Sequence, residues 1–194
     1  MPSTKKKRVA VLISGTGSNM QALVKAAENP HYPAEIALIL SNKNDAKGLI
    51  FAQEKGINNA SIPHQNFSTR ELFEEALHTQ IIQHRIDIVC LAGFMRVLTP
   101  WLISRWEGRM LNIHPSLLPL FKGLHTHQQA LDAKVTSHGC TVHHVVPELD
   151  SGQIIVQASV PVFPDDTVQT LAARVLIEEH RIYPLALEQL ANSL

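Results

Sequence analysis

Two polar side chains that could stabilise a negative charge lie two residues apart near the middle of the chain. Asn112 and His114 fall in and just after the apolar stretch 110–113, which predicts a short strand stopped by Pro115. Because residues two apart in a strand share a face, both side chains should point into one pocket. An amide donor beside an imidazole can hold the oxyanion of a tetrahedral intermediate while the imidazole moves a proton. The same pair could instead simply cap the end of a strand.

The carboxylate of Asp150 is the candidate partner of His114. It lies in the turn-like segment 147–152 between two predicted strands. A carboxylate near the ring would favour the imidazolium and fix its orientation. His143 alternates with His144 along a strand, so only one of the two can face the pocket, and we expect His143 to do so as a supporting residue.

The remaining histidines do not form a pattern that is typical of a metal site. The chain has 11 His, including the pairs His125/His127 and His143/His144. A catalytic zinc requires about three protein ligands, usually with local support such as His-Glu-x-x-His, and the sequence contains no such string. We therefore predict that the protein uses no metal.

A glycine-containing loop follows the first predicted strand. The segment 14–19, with the sequence SGTGSN, joins the strand 9–13 to a predicted helix. At the carboxyl edge of a doubly wound sheet, the free N–H groups at such a helix start can bind an anion. The dinucleotide fingerprint needs a third glycine where Met20 stands, and the Gly-Lys-Ser/Thr of a Walker loop is absent. The residues expected to bind the phosphate of a smaller ligand are Gly15, Thr16, Gly17, Ser18 and Asn19. A tight turn that binds nothing is the alternative.

Strands and helices alternate along most of the chain. Helical patterns separate the strands predicted at residues 9–13, 35–40, 86–92 and 110–113. This order predicts right-handed βαβ units and therefore a doubly wound, mainly parallel α/β sheet. The last two predicted strands, 139–146 and 153–162, have no helix between them, so we expect an antiparallel addition near the C-terminal part.

Capping signals mark the starts of several helices. The string STRE at residues 68–71 has the Ser-x-x-Glu form of a capping box, which predicts Ser68 as the N-cap. Thr99 followed by Pro100 predicts a short helix with proline at its first position. Residues 166–167 are expected to cap a long final helix that reaches about Leu190.

The bulk composition fits one domain, residues 1–194, with a flexible basic tail at about residues 1–7. An apolar share of 45% is ordinary for a protein with a core, and 17 basic against 17 acidic residues leave no net field that favours nucleic acid or membranes. Cys90 and Cys140 lie in apolar runs and are expected to be buried, reduced thiols. The apolar run after the basic cluster is too short for a signal peptide, and no run approaches the ~18 residues of a membrane span. We expect a cytoplasmic monomer or weak homodimer.

Two long strings around the polar pair resemble a known family. NIHPSLLP from Asn112 and GCTVHHVVPELDSG from Gly139, with a spacing of 36 positions from residue 114 to residue 150, resemble the formyltetrahydrofolate-dependent formyltransferases. Within that family, SGTGSN, LAGFMR, GLHTH and the pair Glu179-His180 resemble the branch that formylates phosphoribosylglycinamide. The resemblance extends from about Val9 to Pro184 and implies a Rossmann-like formyltransferase fold with 10-formyltetrahydrofolate as co-substrate. Pro147 and the segment 120–122 depart from the family pattern and leave the affinity for folate open.

The resemblance implies a role for each candidate residue. Asn112 and His114 would stabilise the oxyanion formed when the substrate's own amine attacks the formyl carbon, and His114 would act as the acid. Asp150 would favour the charged form of His114 and help to relay the proton. The glycine-containing loop, assisted by Glu179, would bind the ribose phosphate. The residues expected to contact the folate are Arg70, at its glutamate tail, and Met95, Arg96, Val97, Leu98, Asn112, Val146, Pro147, Glu148, Leu149 and Asp150.

Three other functions remain as alternatives. A methionyl-tRNA formyltransferase normally carries a C-terminal RNA-binding domain and a basic surface, and neither is expected here. A formyltetrahydrofolate hydrolase normally carries an additional N-terminal domain and would have no use for the phosphate loop. A folate- or nucleotide-binding module of the same fold without catalysis is the alternative from another class. The intact set of Asn112, His114 and Asp150 argues against that module, because binding alone does not require it.

Overall fold

Seven segments, most of them rich in Val, Ile and Leu, pair into a sheet with the order β3-β2-β1-β4-β5-β6-β7. The computed structural model describes residues 5–194. The strands are β1 (Lys7–Ile13), β2 (Ala34–Ser41), β3 (Asn59–Ser61), β4 (Ile88–Leu91), β5 (Met110–His114), β6 (Ser137–His144) and β7 (Ile154–Pro161). The first five run parallel, whereas β6 is antiparallel to both β5 and β7. The predicted parallel α/β sheet with an antiparallel addition is confirmed.

Helices cover both faces of the sheet. They are α1 (Ser18–Ala27), α2 (Lys47–Glu54), α3 (Arg70–Gln83), α4 (Pro100–Arg105), α5 (Thr126–Asp132) and α6 (Val168–Ser193), with a 3-10 turn at His64–Asn66. No helix between residues 5 and 194 is long and apolar enough to cross a membrane.

The central strand β1 divides its side chains between two cores. Val9 and Val11 belong to the cluster on the face covered by α1 and α6, whereas Ala10 and Leu12 belong to the cluster built with α3 and α4. Successive strand residues point to opposite faces, so an uninterrupted apolar strand requires cover on both. Cys90 and Cys140 are buried free thiols, and burial raises the pKa of each to about 12.

Three details differ from the expectations drawn from the sequence. The predicted Ser68 cap is wrong, because Thr69 adopts the extended N-cap conformation and its Oγ1 accepts the N–H of Leu72 at 3.2 Å. Strand β3 was missed, since three residues are too few to show a period. Lys7 is the first residue of β1, and residues 1–4 of the predicted basic tail lie outside the described residues.

A buried carboxylate fixes the segment that leads from β4 into α4. Glu74 on α3 is fully buried, and it accepts hydrogen bonds from the backbone N–H of Thr99, at 2.7 Å, and from the Thr99 hydroxyl. Thr99 is the N-cap of α4, but its own side chain makes no cap hydrogen bond. The buried Glu74 carboxylate instead holds Thr99 itself, and this ties the end of the loop at residues 92–99 to the core.

Replacing Glu74 by Ala should lower the free energy of unfolding by about 2–3 kcal/mol, because it removes the acceptor of the two half-buried Thr99 donors and opens a cavity in the core. Glu75→Ala removes the same charged group from the next, exposed position and should change the stability by less than about 0.5 kcal/mol. Urea unfolding of the two variants provides the comparison. If the Glu74→Ala and Glu75→Ala variants were equally stable, the hydrogen bonds of Glu74 to Thr99 would not stabilise the fold as described.

Candidate active site

The candidate site lies where parallel strands end at one edge of the sheet. Strands β1, β4 and β5 are neighbours, so their carboxyl ends bring three loops together. A cavity of about 490 Å³ opens at the ends of β4 and β5. The predicted residues that line it are Met95, Arg96, Val97, Leu98, Asn112, His114, His143, Val146, Pro147, Leu149 and Asp150.

His114 is held from both sides of its ring. Its Nε2 lies 2.9 Å from the carbonyl oxygen of Phe121, which can only accept, so Nε2 carries the proton of that bond. Its Nδ1 faces Asp150 Oδ2 at 3.5 Å, and both side chains are buried. The predicted pair of His114 and Asp150 is thus present in the structure, although the two residues lie 36 positions apart in the sequence.

Asn112 contacts the second buried imidazole of the site. Its Nδ2 lies 3.2 Å from His143 Nε2, while His143 Nδ1 lies 2.8 Å from the carbonyl oxygen of His144. That carbonyl requires the proton on Nδ1, which leaves Nε2 as an acceptor for the Asn112 amide. Burial lowers the pKa of His143, opposed by its bond to the His144 carbonyl and by the charge of Asp150. The ring is therefore neutral near pH 7, and it orients the amide of Asn112.

Asp150 joins three parts of the site through one carboxylate. Its backbone is left-handed, with φ 48°, a conformation that Asp tolerates better than most residues. Oδ2 accepts the N–H of Gly123 at 2.9 Å, and Oδ1 lies 3.8 Å from His143 Nε2. A carboxylate that contacts both imidazoles and the loop at residues 120–125 fixes their mutual geometry.

Gly152 allows the loop carrying Asp150 to pass close to β6. A Cβ at this position would lie 1.7 Å from the His144 carbonyl oxygen, the acceptor of the His143 proton. Only glycine fits such an approach without displacing the backbone. Gly152 therefore belongs to the construction of the site even though it has no side chain to offer.

Polar side chains from β6 and β7 hold the segment that follows His114. Thr141 Oγ1 donates to the Ser116 carbonyl at 2.7 Å and accepts the N–H of Leu118 at 3.1 Å. Gln157 Nε2 contacts the Thr141 hydroxyl and the Leu118 carbonyl at 2.8 and 2.9 Å. Because each of these groups is paired, the segment leaving β5 has a fixed course.

The glycine-containing loop lies at the end of β1, outside the lining of the 490 Å³ cavity. Gly17 is the N-cap of α1 with φ 69°, Gly15 and Thr16 are exposed, and Ser18 is half-buried. Asn19 Nδ2 donates to Oε2 of Glu179 on α6 at 2.6 Å, so the structure brings together two predicted residues that are far apart in sequence. Burial raises the pKa of Glu179, opposed by this bond. The Asn19 Oδ1 atom is buried and accepts no hydrogen bond from residues 5–194.

Two predicted folate contacts lie away from the cavity. Arg70 is the first residue of α3 and is exposed, and Glu148 is exposed on the loop between β6 and β7. Neither side chain lines the cavity, so their roles stay predictions. The part of the chain that the structure describes contains no group of three or more His, Cys, Asp or Glu side chains that could hold a metal ion.

The sequence did not reveal several residues that build the site. The Phe121 carbonyl and the Gly123 N–H are backbone atoms, which any residue could supply, so no side-chain motif marks them. Ser14 Oγ accepts the N–H of Met95 at 2.8 Å, a contact between loops that a linear pattern cannot show. The small polar residues that follow β1 and β2 are the available sequence signal for the Ser14 contact.

A second pair of imidazoles, His138 buried and His127 half-buried, lies behind the loop that contacts His114. His127 Nδ1 and His138 Nε2 are 3.2 Å apart, and Phe121 packs edge-on against His138. Burial lowers the pKa of His138 to about 4, assisted by the charge of His127, and burial also lowers the pKa of His127. The folded protein thus resists protonation at sites that the unfolded chain protonates near pH 6.5.

The free energy of unfolding should fall as the pH drops below about 6.5, because the unfolded chain then binds protons that the folded chain refuses. His138→Gln removes one of these groups, so the loss of stability between pH 7 and pH 5.5 should shrink by about 1 kcal/mol. Urea unfolding across this pH range measures the difference. The same substitution at the exposed His31 controls for removal of a surface imidazole. If the free energy of unfolding of His138→Gln depended on pH as in the wild-type protein, His138 would not be a source of the loss of stability.

Comparison with known proteins agrees with this geometry. The pattern of the formyl transferase family matches residues 7–187. The chain is 45% identical over 184 residues to the phosphoribosylglycinamide formyltransferase of Escherichia coli strain K12, covering 95% of this chain and 87% of that protein. The crystal structure of the phosphoribosylglycinamide formyltransferase from Brucella melitensis superposes with a TM-score of 0.93 at 52% identity, covering 96% of both chains.

Longer relatives share only this region. The chain is 50% identical over 188 residues to the human trifunctional purine biosynthetic protein adenosine-3, and these residues are 97% of this chain but 19% of that protein. The chain therefore spans between 14% and 19% of the length of the trifunctional relatives.

The doubly wound sheet and the paired amide and imidazole at its carboxyl edge define an α/β protein with a site suited to stabilising an oxyanion. The chain belongs to the formyl transferase family.

Proposed function

We propose that the protein transfers the formyl group of 10-formyltetrahydrofolate to the amine of phosphoribosylglycinamide, a step of purine biosynthesis. The observation that carries the proposal is the set of Asn112, His114 and Asp150 on one wall of a 490 Å³ cavity. The proposal is also supported by the family to which the chain belongs and by the names of relatives that match nearly the whole chain.

The proposed reaction needs no nucleophile from the protein. The amine of phosphoribosylglycinamide attacks the formyl carbon and forms a tetrahedral oxyanion. The N–H groups of Asn112 and His114 would stabilise this charge, a contribution of the kind worth about 10²–10³ in rate for one donor. The C–N bond to the folate then breaks, and the departing nitrogen takes a proton while the attacking amine loses one. His114 would deliver the first proton, and Asp150 would accept or relay the second.

The orientation of Asn112 supports its part in this reaction. Neutral His143 accepts one of the two amide N–H groups, so the second is available toward the cavity that Asn112 lines. A donor held before the reaction starts costs no reorganisation when charge develops, which is the condition for effective oxyanion stabilisation. His143 is thus proposed as a positioning residue.

His114 must exchange one partner before it can act as the acid. Its Nε2–H is bonded to the Phe121 carbonyl, so a folate nitrogen or oxyanion would have to displace that carbonyl. The Asp150 carboxylate would keep the ring in place meanwhile, because it is anchored separately by the Gly123 N–H. The Phe121 carbonyl would accordingly lose its hydrogen bond to His114 when both substrates bind, while the Gly123 N–H keeps its bond to Asp150.

The ligand positions follow the chemistry of the two loops. The flat folate ring would pack against the apolar side chains of Met95, Val97 and Leu98 and pair with the free backbone groups of that segment. The phosphate would meet the N–H groups at the start of α1. The unpaired Asn19 Oδ1 would accept a hydrogen bond from the ribose or the amide of the same substrate. Arg70 remains the proposed partner of the glutamate tail.

The partners proposed for the chain are these two small molecules. A balance of 17 basic and 17 acidic residues provides no field for nucleic acid or membranes. We propose a cytoplasmic location, which is where a biosynthetic enzyme meets its soluble substrates.

The purified protein should consume 10-formyltetrahydrofolate only when phosphoribosylglycinamide is present, because the attacking amine comes from that substrate. Absorbance measures the tetrahydrofolate product, and mass spectrometry measures the formylated ribonucleotide. Consumption at a comparable rate with water alone would favour a formyltetrahydrofolate hydrolase. Folate binding without consumption under either condition would favour a non-catalytic binding module.

Asp150→Asn should lower kcat by about a hundredfold or more, because it removes the carboxylate that would assist proton transfer. The amide is isosteric and can still accept the Gly123 N–H, so folate affinity should change by less than about threefold. Steady-state kinetics and folate titration give the two numbers. Asp165→Asn, at an exposed position before α6, is the matched control. A kcat close to the wild-type value would refute the role of Asp150.

A further inference from the structure

A chain of hydrogen bonds crosses the ends of three strands beside the candidate site. The Met95 N–H donates to Ser14 Oγ at 2.8 Å, and the Ser14 hydroxyl lies 2.5 Å from Asn42 Oδ1. Asn42 Nδ2 in turn lies 3.2 Å from His64 Nδ1. Ser14 and Asn42 are both buried, with 6% and 2% of their surface exposed. The middle of the chain is therefore shielded from competing water, whereas the Met95 residue at one end is exposed and His64 at the other is half-buried.

The directions of the first two bonds in this chain are determined. A backbone N–H can only donate, so Ser14 Oγ accepts from Met95 and turns its own proton toward Asn42. Asn42 must then present its oxygen to Ser14 and its amide nitrogen to His64. Reversing either of these two bonds would leave a donor or acceptor without a partner, which is unfavourable. His64 Nδ1 also lies 3.3 Å from the Asn42 carbonyl oxygen, so the direction of the third contact depends on the tautomer of His64. The middle of the chain is thus rigid as well as buried.

Ser14 lies between the two loops to which the proposed function assigns the two substrates. Gly15, the residue after Ser14, is the first of the residues proposed to bind the phosphate (residues 15–19, the phosphate loop). The Ser14 hydroxyl accepts a backbone N–H of the folate-side segment (residues 95–98). The strands match in register, since Leu12 pairs with Leu91 and Ile13 pairs with Ser41. Asn42 directly follows β2 and can therefore reach Ser14 from the other side of β1.

We propose that Ser14, oriented by Asn42, is the positioning residue that fixes the folate-side segment relative to the phosphate loop. The inference rests on the proposed function for its effect on kinetics. The positioning itself rests only on the hydrogen bonds and their burial. Ser14 touches neither substrate in this account and acts through the Met95 amide.

Hydrogen exchange at the Met95 amide tests the positioning without any substrate. Ser14→Ala removes the acceptor of that N–H, so the exchange rate should rise at least about tenfold. Ser61→Ala is the matched control, because the Ser61 hydroxyl also donates to an asparagine, Asn44 Oδ1 at 2.7 Å, but at an exposed strand end. It should leave the Met95 exchange unchanged. An unaltered Met95 exchange rate in Ser14→Ala would overturn the inference, whatever reaction the protein catalyses.

Kinetics test the consequence for the site. In Ser14→Ala the KM for 10-formyltetrahydrofolate should rise about tenfold, which corresponds to about 1.4 kcal/mol. The kcat and the KM for phosphoribosylglycinamide should stay within about twofold, because the catalytic set and the start of α1 are untouched. If both KM values rose and kcat fell by similar factors, the substitution would have distorted the whole site, and the proposal would be overturned. A folate KM within about twofold of the wild-type value would overturn it as well.

Asn42→Ala provides a second variant in case Ser14→Ala folds poorly. It keeps the bond from Met95 to Ser14 but frees the Ser14 hydroxyl, so the folate KM should rise less, by about threefold. In the double variant the rise should equal that of Ser14→Ala alone, since Asn42 acts through Ser14. If the rise in the folate KM of the double variant equalled the product of the two single rises, Asn42 would not act through Ser14. If the wild-type protein transfers no formyl group, binding of tetrahydrofolate replaces the KM as the readout.

Discussion

The hydrogen bond between Asn112 and His143 is the constraint on which the candidate site depends. An asparagine side chain can present either its oxygen or its nitrogen, and only the nitrogen can stabilise an oxyanion. The choice is made by His143, whose Nδ1 proton is committed to the His144 carbonyl. That carbonyl is itself reached closely by the backbone of Gly152. A backbone oxygen on β6 thus determines which atom of Asn112 contacts His143.

The antiparallel part of the sheet explains how these groups meet. Strand β6 pairs with β5 so that Asn112 lies opposite His143 and His114 lies opposite Thr141. The residues that orient the site therefore come from the strand beside it. Strand β6 ends opposite Leu111, and the loop that follows it brings the Asp150 carboxylate back to within 3.5 Å of His114 Nδ1. The antiparallel addition is consequently part of the site and more than an extension of the sheet.

The fold could be predicted from the sequence because its signals are local. The apolar runs and the helical spacing between them mark most strands and helices within a few residues, and the missing helix before β7 marks the antiparallel turn. The errors occurred where the signal was weak. Strand β3 has only three residues, and adjacent Ser68 and Thr69 are both acceptable N-caps, so sequence alone could not choose between them.

The candidate site could be predicted only in part. Asn112, His114, His143 and Asp150 were found because their side chains carry chemistry and resemble a family motif. The Phe121 carbonyl, the Gly123 N–H and the Ser14–Met95 bond were not found, because they depend on how distant loops approach each other. Glu74 was missed for the same reason, since a glutamate on a helix is usually exposed.

The tautomer of His143 is the most direct test of the account. Nitrogen-15 NMR of the labelled imidazoles, with His143 assigned by substitution, distinguishes a protonated from an unprotonated ring nitrogen. The account predicts a neutral ring at pH 7 with its proton on Nδ1, so that Nε2 accepts the amide of Asn112. A proton on Nε2 would turn the oxygen of Asn112 toward His143 and contradict the account.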